Sequence, residues 1–223
     1  MLAKYQGVNT FVSPEVDTDW KSPHSQRLYI DQATLTEPTI YYTNNATKNS
    51  TVTNLMKVMY NLIQQLANDS HLNFNPNSSI KDIHDILQLE LKLASFNIPE
   101  AQRRNYSVQY NIFTPSQANT RWPNIDLKSL LSVMGLSIYR GGTFGAIEPV
   151  YLDKLNTYLS TLSARTIQNY AMWRFLFSNV EFLPSSYYEH YREYKKNQHG
   201  MEITQDIQIA CTKKLRNHLF YTI

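Results

Sequence analysis

The side chains most able to do chemistry are six histidines, His24, His71, His84, His190, His199 and His218. Zinc hydrolysis needs two of them one helical turn apart beside a Glu, as in His-Glu-x-x-His. No two lie three, four or five residues apart, so the spacing predicts solvated surface histidines rather than ligands. His84-Asp85 and Glu189-His190 could each serve as an acid–base pair, but adjacent residues on a helix point apart. The single cysteine, Cys211, would need a nearby His to act as a thiolate nucleophile. His218 follows seven residues later, about 10 Å away along a helix. Cys211 can close no disulfide within the chain, which points either to a reducing compartment or to a partner cysteine outside it. The glycine cluster Arg140–Gly145 lacks the Lys-Ser/Thr of a phosphate loop and reads as a loop. No catalytic or metal-binding set can be assembled from these residues.

Two further patterns concern binding and modification. Arg192, Lys195, Lys196, Lys213, Lys214 and Arg216 cluster late, near several tyrosines. They form either an RNA-binding surface or a solvated helix face with tyrosines packed beneath it, and the second reading is preferred. Five Asn-X-Ser/Thr sequons, at Asn45, Asn49, Asn68, Asn77 and Asn105, are candidate glycosylation sites in polar, turn-like or helix-end contexts.

The elements that must position these groups are mostly helices. Residues 1–50 read as polar and loop-like, with one short strand at 27–30. Val52, Leu55, Val58, Met59, Leu62, Ile63 and Leu66 then recur at helical spacing, ending near Asn68. A turn is expected over 70–78. Ser79, with Asp82 three residues on, would cap a second helix that Pro99 stops. Thr114-Pro115-Ser116-Gln117 has the cap, proline and glutamine of a capping box. A further helix is expected over 126–134 with Gly135 as its stop, and another opening at Glu148-Pro149. Ser163 should cap a helix over 164–183 that is apolar nearly all round, as a central buried helix would be. Tyr187, Tyr191 and Tyr194 stripe the next helix, and Thr204 caps a last one carrying Ile207, Cys211, Leu215 and Leu219.

With 223 residues, 42% hydrophobic and 17% charged, the chain is long enough for a real core and too aromatic for a disordered one. A net charge of +3 makes no electrostatic case for nucleic acid, and no nucleic-acid partner is expected. No apolar run approaches the roughly 18–20 residues that span a bilayer. Residues 1–10 carry no apolar h-region, so no signal peptide is expected. One mainly α domain over 1–223 is the expectation, with at most short strands near 27–30.

Several stretches, in order, resemble the neprilysin family of zinc metalloendopeptidases (peptidase family M13). Residues 27–42, RLYIDQATLTEPTIYY, are similar to the family's "IDQ…LGLP…YY" segment, and 86–94, ILQLELKLA, to its "LELEKxLA" helix. Residues 103–117 resemble "RRDPxxxYNxMTxxQ", 123–126 resemble "P-x-I-[DN]-W", and Pro149 with Tyr151-Leu152 resembles "PEYL". The most specific likeness is 163–175, SARTIQNYAMWRF, to "LxNYxxWR". The chain departs from the pattern at Gln88, Leu127 and Gln208, and has no cysteine in 43–52.

The resemblance implies the family's helical, non-catalytic N-terminal domain, here incomplete at both ends. In the family that domain caps a zinc domain and admits only short peptides. The zinc ligands and the substrate-binding segment lie beyond the region matched here. Zinc is therefore implied for the family and not for this chain, which is expected to be inactive alone. Implied partners are the catalytic zinc domain and small peptide substrates, in an extracellular or cell-surface setting. Cys211 resembles the cysteine near the end of that domain that pairs with one upstream of this chain's start. Two rivals remain: a stand-alone binding or decoy module, and a helical RNA-binding protein.

Overall fold

The computed structural model describes residues 8–133, 142–200 and Thr212. Its first element is a hairpin, β1 (Val12–Asp19) and β2 (Ser22–Gln32), antiparallel from Val12↔Gln32 to Thr18↔Gln26 with a bulge at Thr18/Asp19. The expected strand at 27–30 is thus the inner part of a longer one, and the loop-like reading of residues 1–50 is corrected. Apolar alternation is hidden in this segment because Glu15 to Thr18 and Ser22 to Gln26 face solvent. Only Leu28, Tyr29 and Ile30 carry the buried signature.

Helices follow: α1 (Thr39–Thr43), α2 (Lys48–Asp69) and α3 (Pro76–Phe96). α2 buries Leu55, Val58, Met59 and Leu62, the stripe its spacing predicts. It ends in a Schellman motif: Leu72 N–H donates to Ala67 O, His71 N–H donates to Asn68 O, and His71 takes the left-handed conformation at φ 54°. The start of α3 corrects the sequence reading. Asn75 is the cap, accepting from Ser78 N at 3.2 Å, with Pro76 in the first turn. Asp82, expected to complete a cap, instead pairs with Arg165 at 2.6 Å.

A 3-10 turn (Glu100–Gln102), α4 (Tyr106–Gln109) and β3 (Asn111–Phe113) lead to α5 (Pro115–Arg121). The capping box at Thr114 and Gln117 is present as expected. After α6 (Leu127–Val133) comes β4 (Phe144–Ala146), so part of the glycine cluster is strand rather than loop. The sheet order is β1-β2-β4-β3, with β2 and β4 parallel and β3 and β4 antiparallel. Tyr29 pairs with Gly145, and a Cβ on Gly145 would run into the Tyr29 ring. Glycine is needed there for that close approach.

The chain closes with α7 (Pro149–Leu159), α8 (Ala164–Asn179), a 3-10 turn (Val180–Phe182) and α9 (Ser185–His199). Ser163 caps α8 as expected, but the helix ends at Asn179 rather than 183. Nor is it buried all round. Tyr170, Trp173 and Arg174 face the core, while Met172 is 54% exposed. One core runs through α2, α3, α7, α8, α9 and the inner sheet face, including Ile30, Met59, Leu89, Trp122, Tyr151 and Tyr170. The architecture is mainly α with a small sheet, as the sequence implied. Gly135 and, apart from Thr212, the expected helix from Thr204 lie outside the described residues.

Candidate functional site

A cavity of about 780 Å³ opens between the sheet and α5–α6. Val16, Leu28 and Phe144 supply apolar wall from the sheet. Val16 and Leu28 are cross-strand partners, so the pleat brings both to this face. Asn119 and Thr120 come from α5 and Lys128 and Ser132 from α6. The described lining holds two cations, Arg27 and Lys128, and no His, Cys, Asp or Glu.

An ionic cluster at the hairpin fixes one wall. Arg27 Nε donates to Asp19 Oδ2 at 2.6 Å and its Nη1 donates to Thr143 Oγ1 at 2.6 Å, tying β2 to the residue just before β4. Asp19 Oδ1 accepts from Lys21 N at 2.9 Å and from the Tyr110 hydroxyl at 3.0 Å. The Lys21 N–H, then Arg27 and Tyr110, hold the Asp19 carboxyl below the usual carboxylate range, against its desolvation. Nearby, Arg103 bridges Asp31 at 2.6 Å and Glu148 at 3.1 Å, joining β2 to the start of α7. The described lining offers no carboxylate, His or Cys to serve as general base or metal ligand.

Two buried carboxylates hold the helical side together. Glu37 accepts from the Tyr194 hydroxyl at 2.5 Å and lies 3.1 Å from His199 Nε2 and 3.9 Å from Lys195. Burial and the Glu37 charge push the Tyr194 phenol well up. Glu90, fully buried, accepts from Thr36 N at 2.5 Å and faces Arg174 at 3.6 Å. Desolvation raises the Glu90 carboxyl, and Arg174 and Thr36 oppose that. Arg174 also donates to Thr34 O, and Trp173 donates to Thr36 Oγ1 at 3.0 Å. Thus the 34–37 segment is clamped by α3, α8 and α9 at once.

The residues singled out in the sequence do not converge. Asn45, Asn49, Asn68, Asn77 and Asn105 are all exposed, at scattered helix ends and loops. His84 and Asp85 sit 3.9 Å apart on an exposed face, and Glu189 pairs with Arg192 rather than His190. Lys195 lies over the Tyr191 and Tyr194 rings, so part of the basic cluster packs on tyrosine as the preferred reading held. Tyr187 and Tyr194 are buried beneath it. Cys211, Lys213, Lys214, Arg216 and His218 lie outside the described residues. The Glu37 and Glu90 clusters escaped the sequence reading because their partners are 54 to 162 residues away. A Glu in an apolar helical stripe, as at Glu90 between Leu89 and Leu91, was the available signal.

Among the described residues no group of three His, Cys, Asp or Glu could hold a metal ion, and no helix is long and apolar enough to cross a membrane. The donor set therefore does not fit zinc, and no catalytic step is assigned to these residues.

Residues 1–222 match the sequence profile of Peptidase family M13. Human neprilysin is 24% identical over 210 residues, covering 89% of this chain and 28% of its own. Human endothelin-converting enzyme 1 is 24% identical over 207 residues, covering 92% and 26%. In fold, the chain is similar to the zinc metalloprotease Zmp1 of Mycobacterium tuberculosis in its open state, at a TM-score of 0.85 and 18% identity, over 97% of this chain and 33% of that one. The chain spans about a quarter to a third of the length of these relatives. A profile match over residues 1–222 shows the family: this chain belongs to peptidase family M13 and corresponds to its N-terminal domain.

Proposed function

We propose that this chain is the non-catalytic part of a neprilysin-like zinc metallopeptidase, and that it limits by size the peptides that reach a zinc site carried elsewhere in the protein. Its partners are then that catalytic part and short peptides, outside the cell or at its surface. The observation that carries this reading is the family match over residues 1–222 in a chain spanning about a quarter of human neprilysin or endothelin-converting enzyme 1. The sequence contains no His-Glu-x-x-His, which accords with a supporting rather than a catalytic role.

The clamp on Glu37, which accepts from Tyr194 and faces His199, suits a rigid wall, because a paired buried carboxylate fixes how the segment at 34–37 sits against α9.

The test is a graded substrate series on the protein encoded by the complete reading frame. Chelator-sensitive cleavage should be fast for short flexible peptides and collapse for a folded protein bearing the same cleavable sequence on an exposed loop. Equal rates on both would overturn the size-limiting role.

A further inference from the structure

The geometry points to Asn105 as an N-glycosylated position whose first sugar packs on an aromatic platform made by Tyr106 and Trp20. This rests on the secretory setting proposed above. Asn105-Tyr106-Ser107 is a sequon, and Asn105 is exposed as the N-cap of α4. Its Oδ1 accepts from Ser107 N at 3.2 Å and from Ser107 Oγ at 2.6 Å. Both bonds fall on the oxygen, so among the described residues Nδ2, the atom that would be modified, is not engaged.

The platform is the second observation. Tyr106 is 66% exposed, although a tyrosine gains much by burial. Its ring meets Trp20 edge-on at 5.4 Å, and Trp20 stacks on Tyr29 at 4.7 Å and 16°. Tyr29 is fully buried against Gly145. An exposed aromatic surface is therefore anchored to the sheet at the residue that follows the sequon asparagine. Aromatic faces attract the apolar C–H face of a pyranose, the contact that amphipathic rings make where one side is wet. The other sequons have Ala46, Ser50, Asp69 and Ser78 in the middle position, and the hydroxyl residue of one of them, Thr51, is fully buried.

In the transfer, Asn105 Nδ2 attacks C1 of an oligosaccharide carried on a polyprenyl diphosphate. The C1–N bond forms, the C1–O bond to the diphosphate breaks, the diphosphate departs and the nitrogen loses one proton.

The experiment secretes the full chain from an insect-cell host behind a cleavable leader and reads occupancy at all five sequons by glycopeptide mass spectrometry. Glycans are then trimmed to one N-acetylglucosamine, and melting is compared for the wild type, Asn105→Asp, which removes the sequon but keeps the capping oxygen, Tyr106→Ala and the double variant. The expected result is an occupied Asn105 and a melting temperature about 2–4 °C lower in Asn105→Asp, the size of one good stacking contact in a domain of this length. In the Tyr106→Ala background that difference vanishes. Tyr106 is mostly exposed, so its removal leaves the fold intact. As a second readout, the methyl and ring protons of the Asn105 sugar should shift upfield in NMR spectra of the wild type and not of Tyr106→Ala. An empty Asn105 beside other occupied sequons overturns the proposal and leaves the secretory setting standing. Failure of secretion with every sequon empty overturns both. A sugar at Asn105 whose effect survives Tyr106→Ala, without the upfield shift, overturns the platform.

Discussion

Replacing Arg174 with Met removes the cation 3.6 Å from Glu90 while keeping an apolar side chain of similar reach. The two side chains are 8% and 0% exposed, so neither charge is screened by water. Breaking one half of a buried pair leaves the other charge uncompensated, which costs about 3–5 kcal/mol. For a domain of this length that lowers the melting temperature by about 6–20 °C. The Thr34 carbonyl loses its Arg174 donor as well. The defect must also depend on pH. Burial raises the Glu90 carboxyl and Arg174 opposes that, so without Arg174 it rises further. The folded chain then holds a proton that the unfolded chain has already released. Stability is therefore fullest below the unfolded carboxylate value and is lost as pH climbs through the raised folded value. Urea unfolding at pH 5 and pH 8, followed by tryptophan fluorescence, should show the larger defect at pH 8. Adding Glu90→Gln, whose amide oxygen still accepts from Thr36 N–H, should recover most of the loss and flatten its pH dependence. A defect below about 1 kcal/mol, or one equal at both pH values, would refute the reasoning.

Three smaller changes probe local structure. Gly145→Ala should cost about 1–3 kcal/mol and change tryptophan emission, because its methyl displaces the Tyr29 ring on which Trp20 stacks; unchanged emission would contradict the packing described. Thr114→Ala removes the cap that accepts from Gln117 N at 3.2 Å and should cost about 1 kcal/mol in urea unfolding. His71→Gly should stabilise by roughly 0.5–1 kcal/mol, since His71 sits at φ 54° where glycine carries no penalty; a lower urea midpoint would count against the Schellman cap.

Much of the helical frame could be read from residue order. The stripe from Leu55 to Leu62, the capping box at Thr114, the cap at Ser163 and the tyrosine stripe of α9 are local patterns, decided within one or two turns. The hairpin could not be read this way, because its outer half faces solvent and its pairing with β4 links residues more than 100 apart. The start of α3 was misplaced because Ser79 and Asp82 imitate a cap, while Asn75-Pro76 repeats the cap-then-proline order that reads correctly at Thr114-Pro115. α8 looks buried all round by composition, yet its core face is chosen by contacts with α3 and α9, and Met172 is left outside. The cavity was invisible for the same reason: Val16, Leu28 and Asn119 come together only when the sheet and α5 are in place. What did survive to the level of family was the order of several weak motifs, none of them specific alone.

The central claim, a supporting domain whose chemistry lies elsewhere in the protein, is tested most directly by measuring fluorogenic-peptide hydrolysis by the purified chain with added zinc, with and without chelator, beside the protein from the complete reading frame. The account predicts chelator-sensitive turnover by the longer protein and none by this chain. Chelator-sensitive turnover by residues 1–223 alone would contradict it.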